Sequence, residues 1–255
     1  MNVLEVHDAR LAFGGLQALG GVSLQVPQGS IVGLIGPNGA GKTTLFNAIS
    51  GLQRLDGGRV RFGGRDVTAL AAYERAALGI GRSFQHLGLM MDEGAKTNVV
   101  AAQHVGAGYS GVDLVLRPWR WRRRERELAA RADEALVAFG LSAERDRPVK
   151  DLSFAAARFV ELACVLVEAP ALMLLDEPTT GLDVAEIATL LPALEQVRAK
   201  GTTILLIAHD VAFVMDLCDH VYVLAEGKLL AQGDPADVQR NPAVVEAYLG
   251  VGAAA

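Results

Sequence analysis

The stretch Gly36-Pro37-Asn38-Gly39-Ala40-Gly41-Lys42-Thr43-Thr44 decides the fold of this chain. It fits the pattern GxxxxGK[ST], follows the apolar run Ile31–Ile35 and opens helix-forming sequence that reaches Ser50. Its glycines allow backbone N–H groups to turn inward around phosphate oxygens, and the helix N-terminus adds partial positive charge. A glycine-rich turn that contains lysine by chance is the alternative, and the flanking strand and helix argue against it. The stretch therefore predicts a phosphate-binding loop.

The polar side chains of this loop have distinct expected tasks. Lys42 should reach the β- and γ-phosphates of a nucleotide, the Thr43 hydroxyl should bind Mg²⁺, and Thr44 should add a phosphate contact. The predicted nucleotide contacts in the loop are Asn38, Gly39, Gly41, Lys42, Thr43 and Thr44.

Two later buried-strand runs each end on polar residues. The run from Ala171 to Leu175 is followed by Asp176 and Glu177, and the run from Thr202 to Ile207 is followed by His209. Strands of a parallel sheet deliver their carboxyl ends to one ligand-binding edge. We therefore expect Asp176 to hold Mg²⁺, Glu177 to polarise an attacking water and His209 to contact the γ-phosphate. A solvated acidic turn and a structural histidine are the alternatives.

The order of the sequence patterns predicts a mixed α/β architecture. Val3 to Val26, with the glycine pairs Gly14-Gly15 and Gly20-Gly21, suggests short strands joined by tight turns, and Arg59 to Phe62 followed by two glycines suggests a hairpin. The stretch from about Leu87 to Asp151 has helical spacing, and Val184 to Lys200 fits a helix between two parallel strands. Val221 to Leu224 and Leu229 to Ala231 suggest a further hairpin. We expect one domain, 1–255, with an inserted helical subdomain at 88–152 and a helical tail at 235–255.

Composition limits the possible classes of protein. The net charge of −5 argues against a general nucleic-acid binder, so no nucleic-acid partner is expected. No apolar run reaches the roughly 18 residues that a membrane-spanning helix needs, and the N-terminus has no secretory pattern. Cys164 and Cys218 stand in apolar surroundings and are expected to be reduced core residues. We expect a cytoplasmic chain that works at a membrane only through other subunits.

Taken in order, these elements resemble an ABC transporter ATP-binding subunit over essentially the whole chain. The ordered set is Gly36–Thr44, Gln85, Leu152–Arg158, Asp176-Glu177, Gly181-Leu182-Asp183 and His209. The resemblance implies a P-loop nucleotide-hydrolase fold of the ABC type, with a RecA-like parallel-sheet core, an antiparallel β subdomain and a helical subdomain. It also implies ATP and Mg²⁺ as ligands and hydrolysis coupled to transport.

The resemblance assigns roles that the residues alone do not. It implies that Phe13 stacks on adenine and that Gln85 senses the γ-phosphate and Mg²⁺. It further implies that Glu177 is the general base, that His209 is a switch for water and γ-phosphate, and that Ser153 contacts the nucleotide held by a partner subunit.

Three further segments resemble the ATP-binding subunits of branched-chain amino-acid importers. They are Phe13–Leu19, Arg82–Gln85 and the ending from Asn241 to Gly250. This likeness implies two membrane-spanning permease subunits, a second ATP-binding subunit or a self-dimer, an indirect substrate-binding protein, and a place at the cytoplasmic face of the inner membrane. Uptake of urea, amides or aromatic acids, lipid export and a regulatory nucleotide-binding module are the alternatives.

The signature segment departs from the pattern of the family it resembles. That pattern is LSGGQ or a near variant, whereas this chain has Leu152-Ser153-Phe154-Ala155-Ala156. Ala155 adds a Cβ where backbone and phosphate approach closely, and Ala156 removes a hydrogen-bonding side chain. Our hypothesis is an asymmetric pair in which this segment weakens one of two sites. The alternatives are that alanine is tolerated and both sites work, or that the change was made deliberately.

The densest charge cluster is Arg117-Pro118-Trp119-Arg120-Trp121-Arg122-Arg123-Arg124. A solvated helix start whose arginines pair with Glu125 and Glu127 is one interpretation. A contact with anionic headgroups or a membrane subunit is a second, and nucleic acid is a third.

Overall fold

A computed structural model describes residues 1–83, 88–103 and 118–249 of the chain. Gln85, Arg117 and the end of the predicted tail, 250–255, lie outside these residues, so the expectations for them stay predictions. None of the helices within the described ranges is both long and apolar enough to cross a membrane.

The chain divides into two compact units. The first unit comprises Met1–Arg82, Ala171–Thr180 and Arg198–Ala255, and the second comprises Ser83–Pro170 and Gly181–Val197. The first contains all the described strands and the second contains helices. The bounds 88–152 for an inserted subdomain stay a prediction.

The first unit contains two β-sheets. One consists of β1 (Asn2–Phe13), β2 (Leu16–Pro27), β4 (Gly57–Phe62) and β5 (Arg65–Asp66), in the order β2-β1-β4-β5 with antiparallel pairing. The other consists of β3 (Ile31–Ile35), β6 (Ile80–Arg82), β7 (Leu172–Asp176), β8 (Thr203–Ile207), β9 (His220–Ala225) and β10 (Lys228–Gly233). Its order is β10-β9-β3-β8-β7-β6, with only β10 antiparallel among these strands. The predicted parallel core and antiparallel β subdomain are confirmed.

The parallel strands place the polar residues that follow them at one edge of their sheet. Every residue of β3, β7 and β8 is buried, as expected for strands that are covered on both faces. Because β8 pairs with both β3 and β7, the ends of these three strands are neighbours. The phosphate loop, Asp176-Glu177 and His209 therefore all begin at this edge.

The helices take bounds close to those expected. The first unit contains α1 (Lys42–Ser50), α2 (Ala72–Ala77), α7 (Val211–Leu217), α8 (Pro235–Gln239) and α9 (Pro242–Leu249). The second contains α3 (Ala95–Ala102), α4 (Pro118–Ala138), a 3₁₀ turn (Val149–Asp151), α5 (Phe154–Leu166) and α6 (Val184–Ala199) except its last two residues. The tail forms two helices because Pro242 lacks the N–H needed to continue α8.

The helical unit has its own apolar interior. The predicted periodic residues Leu128, Ala132, Ala135 and Leu136 are buried on α4, which packs against α3 and α5. Phe139, just after α4, stacks on Phe159 of α5 with ring centroids 6.3 Å apart. The helical periodicity therefore identified the buried face of α4 correctly.

The N-terminal strands are longer than expected. The glycine pair Gly20-Gly21 does not form a turn but lies within β2, where the register with β1 shifts between Ala9↔Val22 and Arg10↔Gly20. Gly21 has a φ of 99°, which an extra residue in a bulged strand requires. The glycines therefore bend one long strand instead of separating two short ones.

The described part of the arginine cluster lies at the start of α4. Arg123 Nε is 3.0 Å from Glu127 Oε1, and Arg124 also pairs with Glu127. These pairs at helical spacing fit the solvated-helix interpretation. Trp119 is 67% exposed on the same helix.

Candidate nucleotide-binding and catalytic site

The phosphate loop connects β3 to α1 through glycines that the backbone requires. Gly41 is the N-cap of α1 with a φ of 96°, and a Cβ on it would lie 2.5 Å from the carbonyl oxygen of Ala18 on β2. A Cβ on Gly36 would lie 2.1 Å from the carbonyl oxygen of Leu224. Larger residues are therefore excluded where the loop packs against β2 and β9. Between these contacts, Asn38 and Gly39 are exposed.

Lys42 folds back over this loop. Its Nζ donates hydrogen bonds to the carbonyl oxygens of Gly36, at 2.7 Å, and Pro37, at 3.0 Å. Burial lowers the pKa of the Lys42 ammonium group, while the negative charges of Glu177 and Asp176 act to raise it. Lys42 therefore belongs to one electrostatic cluster with the two acids.

The first turn of α1 presents the other polar residues of the loop. Thr43 is exposed and Thr44 is half-buried. The backbone N–H groups of this turn lack partners within the helix, since the first four N–H groups of any helix do. The turn can therefore offer N–H groups and hydroxyls to an anion.

Asp176 ends β7 and is almost completely buried, with a 1% exposed side chain. Its Oδ2 accepts a hydrogen bond from Arg82 NH2 at 3.1 Å. Arg82 ends the neighbouring strand β6, and its NH1 also donates to Asn47 Oδ1 and Ser50 Oγ, both at 2.8 Å, on α1. A buried carboxylate is stable only with such charge compensation and hydrogen bonding.

Glu177 is held by its backbone and its carboxylate. Its φ is 52°, which is uncommon for a residue with a side chain, and its N–H donates to the carbonyl oxygen of Ile207 on β8 at 2.9 Å. Thr180 Oγ1 donates to Glu177 Oε2 at 3.0 Å. His209 Nε2 lies 2.8 Å from Glu177 Oε1. Non-glycine residues with positive φ concentrate at functional sites, where the surrounding structure enforces them.

The comparisons with known proteins agree on one family. The family model described as ABC transporter matches residues 19–180, and that described as branched-chain amino acid ATP-binding cassette transporter matches residues 228–254. The first match covers more than half of the chain and includes the phosphate loop and both acids. This chain belongs to the ABC transporter family.

Relatives in this family match along nearly their whole length. The branched-chain amino acid transport ATP-binding protein BraF of Pseudomonas aeruginosa is 35% identical, and LivG of Salmonella typhimurium is 36% identical, over 97% of this chain and 98% of each relative. A solved ATP-binding cassette of an ABC transporter in its ADP conformation is 32% identical, with a TM-score of 0.86 over 98% of this chain and 99% of that chain. The predicted family and fold class are confirmed.

The structure also describes three further residues of the family pattern, each within its own unit. Phe13 is 49% exposed at the end of β1, beside the turn into β2, so its ring face is accessible. Ser153 belongs to the second unit, where it is the N-cap of α5 and its Oγ accepts a hydrogen bond from the Ala156 N–H at 3.2 Å. Asp183, also in the second unit, exchanges hydrogen bonds with Glu186 at the start of α6.

The residues present fit Mg²⁺ and a nucleotide. Thr43 and Asp176 offer the hydroxyl and carboxylate oxygens that Mg²⁺ prefers, and proteins usually bind this ion with one or two carboxylates together with waters and substrate phosphates. The glycine loop, the free first turn of α1 and Lys42 form a cradle of donors for phosphate oxygens. The roles of the individual residues stay predictions.

Two residues of the cluster were missed from the sequence. Arg82 was quoted only for its family likeness and Thr180 was given no role. The sequence signal for Arg82 was a charged residue at the end of a short strand that starts at Ile80, and only the fold shows that this strand pairs with the one that ends at Asp176. Thr180 offered no such signal, because its spacing from Glu177 matters only once the turn after β7 is formed.

Proposed function

We propose that this chain binds and hydrolyses ATP to drive a membrane transporter that imports branched-chain or related amino acids. The observation that supports hydrolysis best is the placement of Glu177, which lies in one charge cluster with Lys42 and Asp176 and beside His209. A nucleotide-binding protein without hydrolysis has no need for a second acid held at this position.

The proposed chemistry uses positioning and charge neutralisation. Lys42, Thr44 and the loop N–H groups bind the phosphates, with Asn38, Gly39 and Gly41 shaping the loop, and Phe13 stacks on adenine. Thr43, Asp176 and Gln85 hold Mg²⁺, which would neutralise charge on the phosphate oxygens. Glu177 accepts a proton from the attacking water. His209, whose Nε2 lies beside the Glu177 carboxylate, holds the γ-phosphate and that water when ATP is bound.

The proposed assembly has further subunits. Two ATP-binding subunits, non-identical or two copies of this chain, act with two permease subunits that cross the membrane and indirectly with a substrate-binding protein. Ser153 of this chain contacts the nucleotide that the other ATP-binding subunit holds. The chain works at the cytoplasmic face of the inner membrane as a peripheral subunit.

The substrate is inferred from the relatives. The names of BraF and LivG specify branched-chain amino acid transport, and the matched C-terminal segment is described in the same terms. Substrate contacts belong to the other subunits. The competing possibilities are therefore uptake of urea, amides or aromatic acids, and export of lipids.

The test of the proposed function is uptake by cells that lack only the gene for this chain. We expect such cells to lose uptake of labelled leucine and isoleucine, wild-type protein to restore it, and the Glu177→Gln variant to be produced at normal levels without restoring it. Normal leucine uptake together with lost uptake of urea or an aromatic acid would contradict the proposed substrate while leaving the ATPase role intact.

One observation favours a second candidate, a nucleotide-binding module with weak hydrolysis. Ala155 and Ala156 replace residues that the family pattern places against a partner's γ-phosphate. The asymmetric-pair hypothesis reconciles both candidates, since the loss falls on the site that this segment completes and not on the chain's own loop. ATP turnover in the complex that depends on Glu177 of this chain would favour the transporter ATPase.

A further inference from the structure

The buried contact between Arg82 and Asp176 links two parts of the proposed site. Arg82 has an 8% exposed side chain, and its NH2 lies 3.1 Å from Asp176 Oδ2. Its guanidinium carbon also lies 5.9 Å from the centre of the Phe46 ring on α1. A guanidinium in such a setting has a fixed orientation, because its planar fork is held on several sides.

The same guanidinium binds the helix that follows the phosphate loop. Arg82 NH1 donates to Asn47 Oδ1 and to Ser50 Oγ, each at 2.8 Å. Arg82 thus joins three elements, the ends of β6 and β7 and the side of α1. Burial acts to lower the pKa of Arg82 and the charge of Asp176 opposes that effect, so the ion pair contributes to keeping the guanidinium protonated.

We propose that Arg82 is a positioning residue that holds the carboxylate of Asp176 in register with α1. This inference rests on the proposed role of Asp176 toward Mg²⁺. Groups that orient metal ligands without touching the metal commonly change metal affinity or activity by about 10- to 100-fold when they are replaced. Without Arg82 the carboxylate of Asp176 loses the hydrogen bond that fixes its orientation relative to α1, so it can rotate away from the direction in which it would hold the metal.

Removal of Arg82 also has an effect of opposite sign on Mg²⁺ binding, and the competition between the two effects makes the proposal testable. Arg82 carries positive charge beside a site proposed for a cation, so its removal lowers electrostatic repulsion of Mg²⁺. If Arg82 only neutralises Asp176, its loss strengthens metal binding. If Arg82 positions Asp176, its loss weakens metal binding even though repulsion falls.

The chain offers a matched control in Arg75. This arginine is also buried and also contacts α1, where its NH1 donates to the carbonyl oxygens of Ala48 and Ile49. Its remaining hydrogen bonds go to the carbonyl oxygens of Thr68 and Leu70. Replacement of Arg75 therefore disturbs the same helix without touching Asp176.

The experiment measures the affinity of the 255-residue chain for a non-hydrolysable fluorescent ATP analogue in excess Mg²⁺ and in EDTA. The ratio of the two affinities is the magnesium contribution. We expect Arg82→Met to lower this ratio by about 10-fold while affinity in EDTA stays within about 2-fold of wild type. Ser50→Ala, which removes one anchor on α1, should lower the ratio less, and Arg82→Lys should restore part of it. Arg75→Met should leave the ratio unchanged although it lowers the melting temperature.

Each other outcome has a defined meaning. An unchanged or increased ratio in Arg82→Met would overturn the inference while leaving the magnesium site in place. A wild-type chain that binds the analogue equally well with and without Mg²⁺ would overturn the magnesium role of Asp176 and this inference together. Should Arg82→Met fail to fold, as judged by its thermal unfolding, Ser50→Ala and Arg82→Lys decide the question, since the first leaves Arg82 in place and the second keeps its positive charge.

Discussion

At the residue scale, the central feature is the number of groups that hold Glu177. Its backbone has a φ of 52°, its Oε2 accepts from Thr180 and its Oε1 lies beside His209 Nε2. A carboxylate that receives a proton from water must point at that water, so its orientation is part of its catalytic ability. His209 is expected to exchange its contact with Glu177 for one with nucleotide, whereas Thr180 can retain its contact throughout.

Replacing Thr180 by valine therefore tests whether this hydroxyl orients the base. Thr180→Val keeps the shape of the side chain and removes the hydrogen bond. We expect kcat for ATP hydrolysis to fall by about 5-fold, which corresponds to about 1 kcal/mol, with little change in KM. The loss in kcat is modest because Thr180 is exposed and water partly screens the hydrogen bond. Thr180→Ser is the control and should keep kcat near wild type. Equal losses in both variants would show that the hydroxyl does not matter.

The sequence predicts some of these residues and not others for a physical reason. The loop and the acids Asp176 and Glu177 were predictable because their function is tied to local patterns, a glycine loop before a helix and an acid after an apolar strand. Arg82 contacts Asn47, Ser50 and Asp176, which are 35, 32 and 94 residues away along the chain. Such contacts depend on strand order, which no local pattern specifies.

At the element scale, the start of α5 explains part of the unusual signature segment. Ser153 already caps this helix by accepting from the Ala156 N–H. A glutamine at position 156 could reach back to the Ser153 N–H and complete a capping box. Ala155, in contrast, is 4% exposed, so its methyl group is buried and contributes to packing.

These two positions therefore predict opposite effects on stability. Ala156→Gln should raise the free energy of unfolding by about 0.5 kcal/mol through the capping box. Ala155→Gly should lower it by about 1 kcal/mol through the lost methyl group and the added backbone freedom. Chemical denaturation of each single variant measures both effects, and stabilisation by Ala155→Gly would contradict the burial of this methyl group.

The double variant addresses the asymmetric-pair hypothesis. Ala155→Gly with Ala156→Gln restores the residues that the family pattern has at these positions, so ATP turnover of the assembled complex should increase. The control is the same double variant combined with Glu177→Gln, which removes the base of this chain's own site. Unchanged turnover in the double variant would show that alanine is tolerated here and that both sites already work.

Elements could be predicted where one local signal dominated. The helix expected to begin near Lys42 and to end at Ser50 runs over Lys42–Ser50, and Gly51, which follows it, has a left-handed conformation. Of the two N-terminal glycine pairs, Gly14-Gly15 forms the expected turn between β1 and β2, whereas Gly20-Gly21 lies in a bulge. A glycine pair suits a turn and a bulge equally, and the pairing between β1 and β2 decides between them. Tertiary pairing is a non-local property and overrides such a signal.

At the scale of the whole molecule, the fold encloses one cysteine more fully than the other, because Cys218 is buried and Cys164 is partly exposed. Cys164 and Cys218 are free, and burial raises the pKa of each thiol to about 12. Near pH 9, where the thiols of the unfolded chain begin to lose their protons, the folded chain therefore keeps both thiols protonated. The contribution of the two protonated thiols to the free energy of unfolding is fully present below about pH 9 and is lost as pH rises toward about 12.

Thiol titration checks this directly. At pH 8 the Cys218 thiol of the folded chain should react with Ellman's reagent only at the rate at which the structure opens. The partly exposed Cys164 thiol should react faster than Cys218 but more slowly than in denaturant, where both thiols should react at once. Cys164→Ala and Cys218→Ala should each remove one thiol from the denatured count. A thiol that reacts within the mixing time in the folded chain would contradict the burial assigned to it.

The central claim is that this chain hydrolyses ATP with Glu177 as the base, and one measurement tests it most directly. That measurement is Mg²⁺-dependent phosphate release from ATP by the purified chain and by the Glu177→Gln variant, alone and after addition of a second ATP-binding subunit from the same organism. We predict turnover that is abolished by Glu177→Gln while ATP binding is retained. If wild-type turnover appears only with the added subunit, the altered signature limits the self-dimer. Equal turnover by wild type and Glu177→Gln, or no turnover in either setting, would contradict the account.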